Sequence, residues 1–235
     1  MMKKLQNIKH IFFDLDHTLW DFDRNSEMAF AQIFSDKFPH IATLDFIKVY
    51  IPINQECWRL YQTNQISHDE LRYNRLKHSF DAIDIQVSDD DIDFIAKQYL
   101  EILPNNNFLI DGAIELLDGL KSDYKLHIIT NGFTNVQYRK LQNSGLSKYF
   151  ETVTNSERAG VKKPDARIFE VAITDANASV DQSIMIGDSW EADVMGAINA
   201  NIKTIFYNPE KSMQNTNSEL LIADIQHLLE LQIYI

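Results

Sequence analysis

The sequence predicts an α/β fold, a doubly wound parallel sheet with an α-helical module inserted after its first strand. Three observations carry this expectation. Short apolar runs rich in Ile and Phe end abruptly in polar residues, at Asp14, at Asn131-Gly132 and at Gly187-Asp188. From Phe108 onward such runs alternate with helix-period segments, which implies parallel strands covered by helices on both faces. Between these regions, from roughly residue 25 to 105, amphipathic helical patterns follow one another with no convincing strand. A chain of 235 residues is long enough to bury a real core.

In order along the chain, the apolar run from Ile8 to Phe13, broken by Lys9 and His10, reads as a buried strand. Trp20-Asp21-Phe22-Asp23 is a polar-aromatic hinge, with Asp23 or Asn25 available to cap the next helix. Met28, Phe30, Ala31, Ile33 and Phe34 make one apolar face, and Phe46, Ile47, Tyr50 and Ile51 another. Pro52 is expected to interrupt before Cys57, Trp58, Leu60 and Tyr61. Ser67-His68-Asp69-Glu70 has the form of a capping box, and Ser88 before Asp89, Asp90 and Asp91 repeats the start signal. Pro104 and Asn105 to Asn107 read as a return linker. Beyond it, Gly112 to Leu120 is expected helical, Lys125 to Thr130 a strand, Asn135 to Asn143 a helix and Glu151 to Thr154 a short strand. Asp165 to Ala176 is a helix opened by Pro164, Ser183 to Ile186 a strand, Ala192 to Ala200 a helix and Ile202 to Phe206 a strand. Leu221, Ile225, Leu228 and Leu229 fall at helical spacing and predict a last helix. There are no internal repeats or low-complexity tracts.

Bulk properties narrow the function classes. A net charge of −12, without a basic stripe or tail, argues against a nucleic-acid polymer or an anionic membrane as partner. It leaves room for a small anionic substrate. The single cysteine, Cys57, fits a reducing compartment and a packing role. Lys3, Lys4 and Lys9 precede an apolar run that Asp14 cuts too soon for a signal peptide, and no run reaches membrane-spanning length. The expected location is cytoplasmic.

The chemistry collects where strands end. Asp14 and Asp16, two residues apart, leave the first strand toward the same side. Two close carboxylates repel unless a cation neutralises them or one keeps its proton, so the pair reads as a divalent-metal site or as a nucleophile beside an acid. An acidic loop is the plainer alternative. Thr130-Asn131-Gly132 offers a hydroxyl, an amide and a glycine before a helix N-terminus, a ready phosphate site or a simple strand-to-helix turn. Lys162-Lys163-Pro164 can aim a lysine inward, or be a solvated basic patch. Gly187-Asp188 followed by Asp193 suits a hard cation such as Mg²⁺, which takes carboxylates, waters and substrate phosphate. There Asp193 holds a metal-bound water or the lysine, or serves only as an early-helix acid.

Taken together, Asp14-Leu15-Asp16-His17-Thr18, Thr130, Lys163-Pro164 and Gly187-Asp188 with Asp193 resemble, in this chain order, the haloacid dehalogenase-like (HAD) hydrolase superfamily. The resemblance implies a Rossmann-like catalytic core over residues 1–20 and 106–235 and a helical C1-type cap over residues 21–105. It implies Asp14 as a nucleophile forming an aspartyl-phosphate and Asp16 as general acid/base with its backbone carbonyl on Mg²⁺. Thr130, with Asn131 and Gly132, would bind phosphate, Lys163 would neutralise charge, and Asp188 would complete the metal site, with Thr18 and Asp193 in support. An acid at Asp16 favours phosphatases over halide-displacing members, which lack one there and need no metal.

Within the superfamily, Asp14 to Asp23, Ile128 to Asn135, Glu157 to Pro164 and the cap residues Trp58, Tyr61 and Ile66 are similar to bacterial pyrimidine 5′-nucleotidases. This implies a nucleoside monophosphate as the small phosphorylated partner. A sugar-phosphate phosphatase or phosphomutase uses the same motifs. A phospho-accepting signalling module also pairs an Asp with an acidic metal site, a Thr and a Lys, but its acceptor lies in a middle strand and it lacks an inserted cap. His17, expected to point away from Asp14 and Asp16, is given no chemistry.

Overall fold

The computed structural model describes residues 4–235; Met1 to Lys3, and so Lys3 of the N-terminal lysine group, lie outside the described residues. The chain divides into two compact units, Met1–Asp21 with Leu109–Ile235, and Phe22–Phe108. In the first unit six parallel strands form one sheet among the described residues. They are β1 (His10–Phe13), β2 (Lys125–Thr130), β3 (Phe150–Asn155), β4 (Ser183–Gly187), β5 (Lys203–Tyr207) and β6 (Leu221–Ile225), in the order β3-β2-β1-β4-β5-β6. This is the doubly wound Rossmann-like α/β sheet, and its order runs outward in both directions from β1. Phe13 lies opposite Ile128 of β2 and Ile186 of β4, so the C-terminal ends of these three strands sit side by side. That switch point is where open α/β sheets bind their ligands.

The second unit is helical: α1 (Phe22–Lys37), α2 (Thr43–Gln62), α3 (His68–Ala82) and α4 (Asp89–Ile102). Phe30, Phe34, Phe46, Tyr50, Phe80 and Tyr99 are buried at its centre, with ring centroids of neighbouring pairs such as Phe30–Tyr99 at 4.6 Å. Ser67 and Glu70 close the capping box of α3, and the Ser88 hydroxyl accepts from Asp91 N–H at the start of α4. Two expectations are corrected here. Asp23 and Asn25 lie inside α1 instead of capping it. Asn25 is buried and bonds Phe108, its Nδ2 donating to the carbonyl at 2.8 Å and its Oδ1 accepting the N–H at 2.9 Å. α2 runs straight through Pro52, whose side chain is exposed while Phe46, Ile47, Asn54 and Cys57 pack on either side of it.

In the first unit the covering helices are α5 (Ala113–Leu120), α6 (Thr134–Asn143), α7 (Ser156–Ala159), α8 (Ala166–Asp175) and α9 (Gly196–Asn199). Phe12, Ile129 and Met185 from three strands pack with Ile168, Phe169 and Ala172 of α8 and Ala197 of α9. The helix expected from Ala192 begins earlier and wider, as a π turn over Trp190–Met195 that continues into α9. The expected last helix is absent: Leu221–Ile225 pairs with β5 as an edge strand, and Leu228–Ile233 is a 3-10 turn. Among the described residues no helix is long and apolar enough to cross a membrane.

Candidate active site

The nucleophile candidate is set by the sheet itself. Asp14 follows β1 directly, and its N–H donates to Ile186 O at 2.9 Å, extending the ladder to β4 by one rung. The chain then turns: Leu15 O accepts from both Leu19 N–H and Trp20 N–H at 2.9 Å, and His17 adopts φ 63°. His17 therefore sits in a turn, and the strand geometry expected to orient it ends before reaching it.

Lys163 is buried against this end of the sheet. Its Nζ donates to Asp14 Oδ1 at 2.5 Å, to Asp193 Oδ1 at 2.6 Å and to Ile129 O at 2.8 Å, so all three of its hydrogens are used. Its main chain is held as well. Lys163 N–H donates to Asn131 Oδ1 at 2.7 Å, and Asn131 Nδ2 donates to Lys163 O at 3.0 Å. Asn131, expected at the phosphate, thus uses both side-chain polar atoms to position the lysine.

Asp193, in the π turn, accepts Lys163 on one oxygen and the Ser189 N–H on the other, at 3.0 Å. Of the three roles open to it in the sequence, it takes the lysine. Thr18, fully buried, donates to Asp188 Oδ1 at 2.9 Å and accepts Asp188 N–H at 3.1 Å, fixing that carboxylate's direction. Gly187 is required by this packing. A Cβ there would lie 2.2 Å from Asp193 Oδ2.

Asp16 goes elsewhere. Its carboxylate is not in the Asp14 group but on α6, where Lys140 Nζ donates to Oδ1 at 2.6 Å and Gln137 Nε2 to Oδ2 at 2.9 Å. Gln137 Nε2 also donates to Thr130 Oγ1 at 2.8 Å, and Gly132 N–H reaches the same oxygen at 3.1 Å. Gly132 leaves the space that Gln137 fills, since a Cβ at 132 would lie 2.0 Å from Nε2. Gln137 and Lys140 are the site-adjacent residues missed in the sequence. Their only signal there was a polar pair at i,i+3 on a helix, which also describes any solvated helix face.

Carboxylate oxygens of Asp14, Asp188 and Asp193 all lie within 4.8 Å of one another. Burial pushes the Asp14 carboxyl well above its usual range, opposed by Lys163 and reinforced by Asp193 and Asp188. Burial and Asp193 push Asp188 to about 7. For Lys163 burial works the other way, but Asp14 and Asp193 outweigh it and hold the ammonium charged. Three carboxylates against one ammonium leave excess negative charge in a buried place. An all-oxygen set of this kind fits a hard divalent cation, whose charge would offset that excess.

This sheet, with this constellation at its switch point, defines a hydrolase: residues 8–201 match the haloacid dehalogenase-like hydrolase family, and the chain belongs to it. The chain is thus an enzyme of that family. Among characterised relatives, it is 36% identical over 217 residues to the pyrimidine 5′-nucleotidase PynA of Streptococcus pneumoniae, covering 90% of this chain and 88% of that one. It is 32% identical over 199 residues to the pyrimidine 5′-nucleotidase YjjG of Escherichia coli, covering 84% and 85%. The crystal structure of the HAD-hydrolase YfnB from Bacillus subtilis, bound to magnesium, matches with a TM-score of 0.85 at 28% identity, over 97% of this chain and 98% of that one.

Proposed function

We propose that this enzyme is a Mg²⁺-dependent phosphomonoesterase that works through an aspartyl-phosphate and takes pyrimidine nucleoside 5′-monophosphates as substrates. The observation that carries this reading is the buried Lys163 bridging Asp14 and Asp193 beside Asp188, at the ends of β1 and β4. Asp14 attacks phosphorus, the bond to the nucleoside oxygen breaks, and its electron pair leaves with that oxygen, which takes a proton from Asp16. Asp16 then removes a proton from water as the water attacks phosphorus and releases Asp14. Lys163 offsets charge on Asp14 and on the phosphoryl oxygens, and Thr130 donates its hydroxyl to one of them. Asp14 and Asp188 would hold Mg²⁺ together with the Asp16 backbone carbonyl, and the ion would supply charge compensation and in-line alignment.

The pyrimidine assignment is supported by the two nucleotidases at 36% and 32% identity. Trp58 and Tyr61 of α2, half-buried with ring centroids 5.7 Å apart, and Ile66 are our candidates for base selection in the helical unit, which we read as the cap. A buried free Cys57 accords with a cytoplasmic setting.

The test is phosphate release from a panel of nucleoside monophosphates and sugar phosphates. We expect pyrimidine nucleotides to be preferred, EDTA to stop release and Mg²⁺ to restore it. Preference for sugar phosphates would reassign the substrate, and phosphate returned to substrate would indicate a mutase. Asp14→Asn is expected to abolish turnover with folding intact, and a near-normal rate in that variant would rule out the covalent route.

A further inference from the structure

We propose that Gln137 and Lys140 are positioning residues of the reaction: a fork on α6 that fixes where Asp16 keeps its carboxylate and which way Thr130 sends its proton. The inference rests on the phosphomonoesterase reading above and extends it to two residues of α6 whose side chains meet Asp16.

The fork begins with geometry. Residues 137 and 140 are one turn apart on the same helix face, and both side chains are buried. Each oxygen of Asp16 has its own donor, Lys140 on Oδ1 at 2.6 Å and Gln137 on Oδ2 at 2.9 Å. Lys140 is itself confined, with its ammonium 4.2 Å from the Trp20 ring centroid. Asp16 stands on a turn and keeps part of its side chain open to solvent. Without two fixed donors it would spread over several rotamers.

Gln137 also orients Thr130. An amide nitrogen has two hydrogens, and Nε2 uses one on Asp16 and the other on Thr130 Oγ1 at 2.8 Å. Gly132 N–H donates to the same hydroxyl at 3.1 Å. A hydroxyl accepts at two positions and donates once, so with both acceptor positions filled Thr130 is left with its proton to give. A phosphoryl oxygen only accepts, and a hydroxyl preset as donor matches it. While Asp16 is ionised the amide cannot be reversed, because its Oε1 would then face a carboxylate oxygen that has nothing to donate. In the orientation found, Oε1 is buried with no partner, and the two hydrogen bonds from the NH₂ end are what hold it there.

The experiment compares two substrates that differ in how much they need an acid. A nucleoside 5′-monophosphate expels an alkoxide and depends on Asp16, whereas p-nitrophenyl phosphate expels a nitrophenolate that leaves without a proton. Lys140→Met is expected to slow single-turnover release of the nucleoside about tenfold or more, with a much smaller fall in release of nitrophenolate; the later attack of water, which needs Asp16 with either substrate, stays outside this comparison. Lys140→Arg is expected to restore the ratio between substrates. Gln137→Met is expected to shift that ratio in the same direction and also to weaken inhibition by inorganic phosphate several-fold, as about one hydrogen bond to an anion is lost. It changes no buried charge, so it supplies the ratio if Lys140→Met does not fold. Equal falls on both substrates would mean a structural role and overturn the proposal, as would unchanged or raised rates. A wild-type chain that releases phosphate from neither substrate would overturn the phosphomonoesterase reading as well. An active wild type with unselective variants would overturn the fork alone.

Discussion

Gly187 shows how little slack the candidate site has. Its missing side chain is the space through which Asp193 reaches Lys163, and a methyl group there would meet that carboxylate at 2.2 Å. Gly187→Ala is therefore expected to displace Asp193, loosen Lys163 and lower kcat by about tenfold or more, since misplacement of about 1 Å can cost a hundredfold. Circular dichroism and steady-state rates on the same preparation check this, and a normal rate would show that Asp193 has another path to the lysine. Asp188→Ala is expected to blunt activation in a Mg²⁺ titration, with an unaltered response removing it from the metal set. At this scale the sequence was informative where a side chain's position follows from its own strand. Asp14, Thr130, Lys163 and Asp188 were legible because each lies at or near a strand end or beside a proline. Gln137 and Lys140 were not, because what distinguishes them from a solvated helix face is Asp16, which is distant in sequence.

Among the elements, the central strands carry a pH dependence of their own. His10 Nδ1 and His127 Nε2 lie 3.0 Å apart, and His127 Nδ1 lies 2.9 Å from Thr152 Oγ1, joining β1, β2 and β3 through neutral rings. Burial, then the charges of His10 and Lys125, lower His127 from 6.5 to about 4. The unfolded chain thus binds the proton first. The contribution of His127 is complete above about pH 6.5 and is lost on acidification toward pH 4, by about 3 kcal/mol in all. Buried Asp14 and Asp188 act in the opposite sense over the same range, so the check is a comparison: from pH 8 to pH 5 the stability of His127→Gln is expected to change more favourably than that of the wild type, and equal slopes would remove His127 as a contributor. In α3, Ser67→Ala breaks the capping box and is expected to lower stability to urea by about 1 kcal/mol. Boundaries written in local chemistry, such as Ser67-Glu70 and Ser88, were readable. The start of α1 was not, since Asn25 answers to Phe108 far along the chain. Leu221, Ile225, Leu228 and Leu229 have helical spacing, yet Leu221–Ile225 forms β6 and Leu228–Ile233 a 3-10 turn, because pairing along β5 satisfies backbone groups that a helix would leave bare on the sheet edge.

For the whole molecule, the sheet order accounts for most of what sequence patterning conveyed. Alternating strand and helix segments imply parallel strands and a crevice at their C-terminal ends, and the β3-β2-β1-β4-β5-β6 order puts Asp14 at the centre of that crevice. Excess negative charge at the same place would couple stability to a bound cation. At about a hundredfold excess of Mg²⁺ over its dissociation constant, the folded state is expected to gain about 2.7 kcal/mol. For a chain of this size that raises Tm by roughly 5 °C or more. Scanning calorimetry with Mg²⁺ and with EDTA measures the gain, and Asp188→Ala should remove most of it. The order of strands also bears on how the protein is made. Emerging N-terminus first, a ribosome delivers the middle of the sheet at the outset, yet Phe13 has no neighbour until Ile128 and then Ile186 have been synthesised. This central strand therefore waits through translation of all the helices up to α5 with both edges bare, so a nascent chain stalled short of β2 is the species most exposed to aggregation through it.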